Sequence, residues 1–329
     1  MHFDKYFRYH KYFNSHNYIK SIGGKIFLCK NGVVDFFIVD KLIFIFLARF
    51  KHLRRLLRLN RINVKELSNG NLIVIYNYKL YLYQNNHLEM KFTFNFTRYV
   101  HDETISIQDN MVVIGEYGNS KGKYPVGVLV SDDFGITWVK RDLHIPNIVK
   151  NILSVKYDKY SNKYWVFFGE TKEQSRIETY NLDWSLNQIV GLGDFKFRAI
   201  SSFFSPDSIF WYMNNPSGDS YVMKFHRNSN SITQGYKFPG PIWYSYSINE
   251  HYFLSTASEE KTSNEVHLLV SKDCENWQIL EIFQKDQLNK KYFLYGMISF
   301  PLQNFHKNTL YFFCEALKNY DNKMHLIKY

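Results

Sequence analysis

From about residue 61 onward, short apolar runs alternate with polar turns in a repeating cadence. Leu72–Tyr76, Leu80–Tyr83, Met111–Glu116, Val126–Val130, Tyr164–Phe168, Ile209–Tyr212, Tyr221–Phe225, Tyr252–Ser255, Val266–Val270 and Thr309–Phe313 each read as a strand. Asn, Gly, Ser and Asp fill the gaps between them, and these residues favour turns. Turn clusters at Gln84-Asn85-Asn86, Ser131, Asn181-Leu182-Asp183-Trp184, His226-Arg227-Asn228-Ser229 and Ser271 each follow a strand. They recur at a spacing of about 45 to 50 residues, the length of a four-stranded propeller blade. The pattern therefore predicts an all-β chain folded as a β-propeller of six blades, with five or seven as the alternatives.

The first 60 residues follow a different rule. They are aromatic and basic, and are expected to be an N-terminal extension, either part of the first blade or a short amphipathic helix, with residues 61–329 forming the propeller domain. Lys25–Cys29 and Val33–Val39 read as strands. A seventh blade would arise if residues 24–59 formed one of their own. Phe46, Phe50, Leu53 and Leu57 then recur at helical spacing, while Arg49, Lys51, Arg54, Arg55 and Arg58 occupy positions between them. This pattern is expected to give a basic amphipathic helix over residues 46–59. It would either attach to an anionic membrane surface or pack against the domain with its basic face in solvent.

Composition sharpens the picture only in part. Aromatic residues make up 19% of the chain, which favours strands. A net charge of +11 suits an anionic partner, but Lys, Asn, Tyr, Phe and Ile are abundant together, as an AT-rich genome would produce. Cys29, Cys274 and Cys314 are too widely separated for a disulfide framework or a zinc site. The sequence shows no GxxxxGK[ST], GxGxxG or HExxH motif and no nucleic-acid-binding signature. No cofactor, metal or nucleic-acid partner is expected. Without an apolar leader or an 18-residue apolar run, the expected location is the cytoplasm, with a peripheral place on the inner membrane surface as the variant. The oligomeric state is left open.

Ser131-Asp132-Asp133-Phe134-Gly135-Ile136-Thr137-Trp138 is a hairpin turn by its chemistry. Asp133 can accept backbone N–H bonds, Gly135 tolerates positive φ, and Trp138 folds under the loop. A shortened copy without the glycine is Ser271-Lys272-Asp273-Cys274-Glu275-Asn276-Trp277. The pattern resembles the Asp-box, or BNR repeat, of sialidases and related propellers. On that resemblance Ser131, Asp133, Gly135, Trp138, Ser271, Asp273 and Trp277 are structural residues.

The chain also resembles sialidase-like BNR-repeat proteins of bacteria, some encoded with surface-polysaccharide genes. The shared features are Gly115-Glu116-Tyr117, Tyr157-Asp158, Tyr164-Trp165, Gly169-Glu170, Arg198 and Thr256-Ala257-Ser258-Glu259. Such relatives carry His where Asn151 stands and Gly-Asp where Gly169-Glu170 stands. Sialidases proper carry an Arg-Ile-Pro motif whose Arg binds the substrate carboxylate. Here the motif is Arg61-Ile62-Asn63, and residues 81–86, where the sialidase acid/base Asp is expected, hold no carboxylate.

The resemblance implies a carbohydrate-active protein of surface-polysaccharide metabolism, with glycosidase or glycosyl-transfer chemistry on a glycan in the funnel. Glu116, Glu170 and Glu259 each follow a strand and are the candidate catalytic carboxylates. Arg61, Arg198, Tyr117 and Trp165 are the candidate substrate-binding residues, the arginines suiting an anionic glycan. The ordinary alternative for each Glu is a carboxylate that accepts hydrogen bonds at a strand end. The rival function is a non-catalytic propeller that binds a glycan or protein and docks on the inner membrane surface.

Overall fold

A computed structural model describes residues 6–118, 123–216, 218–259, 263–304 and 308–329. Among these, the strands form seven sheets that succeed one another along the chain, and the fold is a seven-bladed β-propeller. The blades run over residues 8–38, 62–93, 105–144, 152–192, 199–238, 242–284 and 297–328, with neighbouring strands antiparallel throughout each blade's own succession. The expectation of six blades is thus corrected to seven.

The added blade is the first, built from Arg8–Asn14, Asn17–Ile22, Lys25–Lys30 and Val33–Ile38. Its alternation is hidden in the sequence because cations lie inside it. Arg8, Lys11 and Lys20 are all buried, and Lys20 stands over the rings of Phe7 and Tyr18 at 4.7 Å. A buried ammonium against aromatic faces retains some electrostatic compensation, so these polar letters occupy inward positions.

The contacts divide the chain into two compact units. One holds residues 63–215 and 221–235. Its core fills the space between consecutive blades, as where Ile73, Ile75, Leu80 and Leu82 meet Ile105, Val112, Ile114 and Leu129. A second cluster joins Val113, Val126 and Val128 to Val155, Val166 and Phe168.

The other unit holds the remaining segments, including the first and last blades. There the strand Leu302–Gln303 leaves the last blade and runs parallel to Arg8–Asn14, pairing Lys11 with Leu302 and Tyr12 with Gln303. The Gln303 side chain substitutes for a ladder rung: its Nε2 donates to the Tyr311 carbonyl and its Oε1 accepts the Tyr311 N–H, both at 2.8 Å.

Residues 42–56 follow the first blade as two short helices, α1 (Leu42–Leu47) and α2 (Lys51–Leu56), where the sequence suggested one. Nor is the basic face wholly solvated. Arg54 and Arg55 are buried and reach Asp321 and Asp286, while Ile45 and Ala48 pack with Ile22 and Leu59.

Candidate functional site

All five turn clusters picked out by their spacing connect the third strand of a blade to its fourth. Two share one hydrogen-bond scheme. In the first, the Gly135 N–H donates to Ser131 Oγ at 2.9 Å, and Ile136 and Thr137 N–H donate to Asp133 Oδ1 at 3.0 and 2.9 Å. Trp138 Nε1 closes the loop on the Gly135 carbonyl at 2.9 Å. In the second, Cys274 N–H bonds Ser271 Oγ at 3.0 Å and Trp277 Nε1 bonds the Cys274 carbonyl at 3.1 Å. Cys274 therefore takes the place of Gly135, with φ +64° against +81°. The shorter turn drops the partner of Phe134, which is itself at φ +60°.

These bonds shift the turn carboxylates. Partial burial works to raise Asp273, but the Asn276 N–H and side chain, the Glu275 N–H and the Ser271 hydroxyl outweigh it and hold the group at about 2. Asp133 is lowered for the same reason: burial is opposed by Thr137, Ser131 and Ile136.

The three candidate catalytic carboxylates are each tied to nearby protein groups. Glu116 is 2% exposed, accepts the Gly127 N–H at 3.0 Å and lies 3.2 Å from Lys140 Nζ. Burial raises its pKa, with Lys140 and Gly127 partly offsetting the effect. Glu170 is exposed and accepts Asn151 Nδ2 at 2.6 Å. Asn151 Oδ1 in turn accepts the Gly118 N–H at 2.7 Å, so one amide joins the loops after Gly115 and Phe168. Glu259 is buried and accepts Trp243 Nε1 at 2.6 Å.

The strand register places Glu116 and Glu170 two residues past the last inner pair of their blades, at Ile114 and Phe168. Glu259 lies three past Thr256. Ser131 pairs with Val112 and Ser271 with Tyr252, so by the shared turn register Glu116 corresponds to Thr256 and not to Glu259.

The candidate substrate-binding residues are placed as follows. Arg198 bonds the carbonyl and side-chain oxygen of Asn214 and passes beside Gly169. Tyr117 donates its backbone N–H to Thr97 Oγ1 at 3.1 Å, and its ring lies 5.9 Å from Tyr99. Trp165 is buried between Phe204 and Phe225 as a packing wedge. Arg61 follows the helical insertion and donates its backbone N–H to the Arg58 carbonyl.

A cavity of about 690 Å³ opens elsewhere, beside the Ser271 turn. Tyr236, His251, Trp277 and Tyr329 supply aromatic walls, and Lys272, Gln278 and Asn308 supply polar groups. His251 commits its Nδ1–H to the Asn249 carbonyl at 2.8 Å, and its ring lies 4.9 Å from that of Tyr329. The Tyr329 hydroxyl is buried with no hydrogen-bond partner among the described residues, and burial raises its pKa. Of this lining, the sequence singled out only the turn residues, since the others come from separate strands.

No family model and no curated protein matches the sequence. Solved structures do. A chain of a mitotic checkpoint complex superposes with a TM-score of 0.58 at 6% identity, over 100% of this chain and 91% of that one. A candidate TolB from Agrobacterium tumefaciens gives 0.42 at 12% identity, over 67% and 80% of the two chains. A candidate glucose dehydrogenase from Thermus thermophilus gives 0.47 at 11% identity, over 80% and 95%. At these identities the likeness is one of fold: the chain is a β-propeller.

Proposed function

We propose that this protein is a glycan-binding propeller without catalytic activity, its ligand seated in the cavity beside the Ser271 turn. The observation that carries this reading is a space of ligand size walled by Tyr236, His251, Trp277 and Tyr329. Aromatic walls suit the C–H faces of a sugar, and the amides of Gln278 and Asn308 suit its hydroxyls. Lys272 can meet a ligand carboxylate, while the neighbouring Asp273 carboxylate in the lining is engaged by Glu275 and Asn276 of its own turn.

The test is calorimetric titration against uronic-acid and sialic-acid oligosaccharides, with wild type and Gln278→Ala. Loss of one hydrogen bond should weaken binding about tenfold. Gln278 is exposed, so the substitution should leave the thermal midpoint as in wild type. Equal affinity in the two proteins, or binding of no oligosaccharide by wild type, would overturn the reading.

A catalytic reading has one observation in its favour, the raised pKa of Glu116, as a general acid requires. That reading requires turnover that Glu116→Gln abolishes.

A further inference from the structure

The helical insertion turns its side chains the opposite way from an ordinary surface element. Arg54 and Arg55 face inward: Arg55, 1% exposed, reaches Asp286 at 2.7 Å and Asp321 at 2.6 Å, and Arg54 reaches Asp321 at 2.9 Å. Part of its apolar surface faces outward, with Leu42 71%, Ile43 54%, Phe46 53% and Phe50 49% exposed, while Ile45 and Ala48 pack inward. Positions 42, 43 and 46 lie on one face of α1, and Phe50 is the extended N-cap residue of α2. The Phe46 and Phe50 rings meet edge to face at 5.2 Å, and exposed Leu53 and Leu56 continue the apolar surface on α2. Clustered apolar exposure of this kind marks an interaction surface, whereas scattered single residues do not.

Charge indicates what the surface meets. Between Asp40 and Glu66 the sequence holds no carboxylate. Asp286 and Asp321, which the fold brings up to α2, are engaged by Arg54, Arg55 and Lys51. Lys41, Arg49 and His52 remain exposed beside the stripe. No described helix is long and apolar enough to cross a membrane, but an apolar stripe flanked by cations suits the plane of a lipid interface.

We propose that residues 41–56 dock the protein on an anionic bilayer surface, with Leu42, Ile43, Phe46 and Phe50 entering the boundary between headgroups and acyl chains. Lys41 and Arg49 then meet the lipid phosphates. Here the buried arginines hold the helices to the blade, and the apolar side meets the lipid.

The test is cosedimentation of the full chain with vesicles of phosphatidylcholine mixed with phosphatidylglycerol, and with phosphatidylcholine alone. Wild type should partition to the anionic vesicles, less so as salt rises. Phe46→Ser/Phe50→Ser and Lys41→Glu/Arg49→Glu should each weaken partition on the order of tenfold, with thermal unfolding as in wild type because these side chains are exposed. Failure of wild type to bind anionic vesicles, equal binding to neutral ones, or full binding by the Ser variant would overturn the proposal. So would a dimer that ignores vesicles and is dispersed by Phe46→Ser/Phe50→Ser, which would assign the stripe to a protein partner.

Discussion

Arg227 grips both carboxylate oxygens of Asp158, at 2.6 and 2.9 Å, and so fastens the turn of the fifth blade to the fourth. Asp158 is fully buried and also accepts the Tyr160 N–H and the Ser161 hydroxyl, while Arg227 Nε donates to the Ser205 carbonyl at 3.0 Å. Removing the cation leaves a buried carboxylate without its counter-charge. Arg227→Met is therefore expected to cost about 3–5 kcal/mol. Arg227→Lys should recover only part of that, since an ammonium lacks the planar fork. Urea unfolding of the three proteins decides the matter, and a loss under about 1 kcal/mol in the Met variant would show that the pair does not hold the blades together.

The Ser271 turn should make stability depend on acid. The folded value for Asp273 is about 2, below the ordinary Asp value near 3.9, so the unfolded chain binds more protons between those limits. Its contribution is complete above about pH 4 and is lost as pH falls through about 2. Asp273→Asn should lower the thermal midpoint near neutrality and flatten its decline over that window. An unchanged acid limb in the variant would mean the turn bonds carry no net stability.

Glu116 should act in the opposite sense. Its folded pKa is raised, so the native state binds more protons and stability falls as pH climbs from the ordinary Glu value through the folded one. Glu116→Gln keeps an acceptor for the Gly127 N–H and abolishes this titration, at the loss of the Lys140 ion pair. Thermal midpoints measured across pH 4–7 should fall less steeply with rising pH in the variant, and oligosaccharide affinity should be unchanged. Loss of affinity in Glu116→Gln would bring the ligand to this carboxylate instead of the cavity.

What the sequence made legible was local. Ser131, Asp133 and Trp138 interact within eight residues, so their pattern reads directly as a turn, and the spacing of such turns then points to a propeller, with one blade too few. The last two strands of the first blade are legible, but its first two escaped because Arg8, Lys11 and Lys20 sit at buried positions where period-2 alternation needs apolar residues. The cavity escaped because Tyr236, His251 and Tyr329 are brought together by tertiary structure from three strands, with no spacing to announce them. The orientation of the basic helix was unreadable for the same reason. Whether an arginine faces solvent depends on whether an aspartate waits behind it, and here the aspartates lie more than 200 positions along the chain.

That orientation gives the last expectation. Arg55 is buried with Asp286 and Asp321, and Asp286 also takes Lys285 at 2.5 Å and Lys51 at 2.8 Å. These cations overcome the burial that would raise Asp286 and hold it well below the usual carboxylate range. Among the described residues Arg55 is the one side chain that reaches both aspartates, so Arg55→Met leaves Asp321 with Arg54 and the Ala316 N–H. The expected loss is about 3 kcal/mol, against less than about 0.5 kcal/mol for exposed Phe50→Ser. If the arginines instead faced solvent and the phenylalanines the core, the order would reverse, so urea unfolding of this pair of variants reports directly which way the insertion is turned.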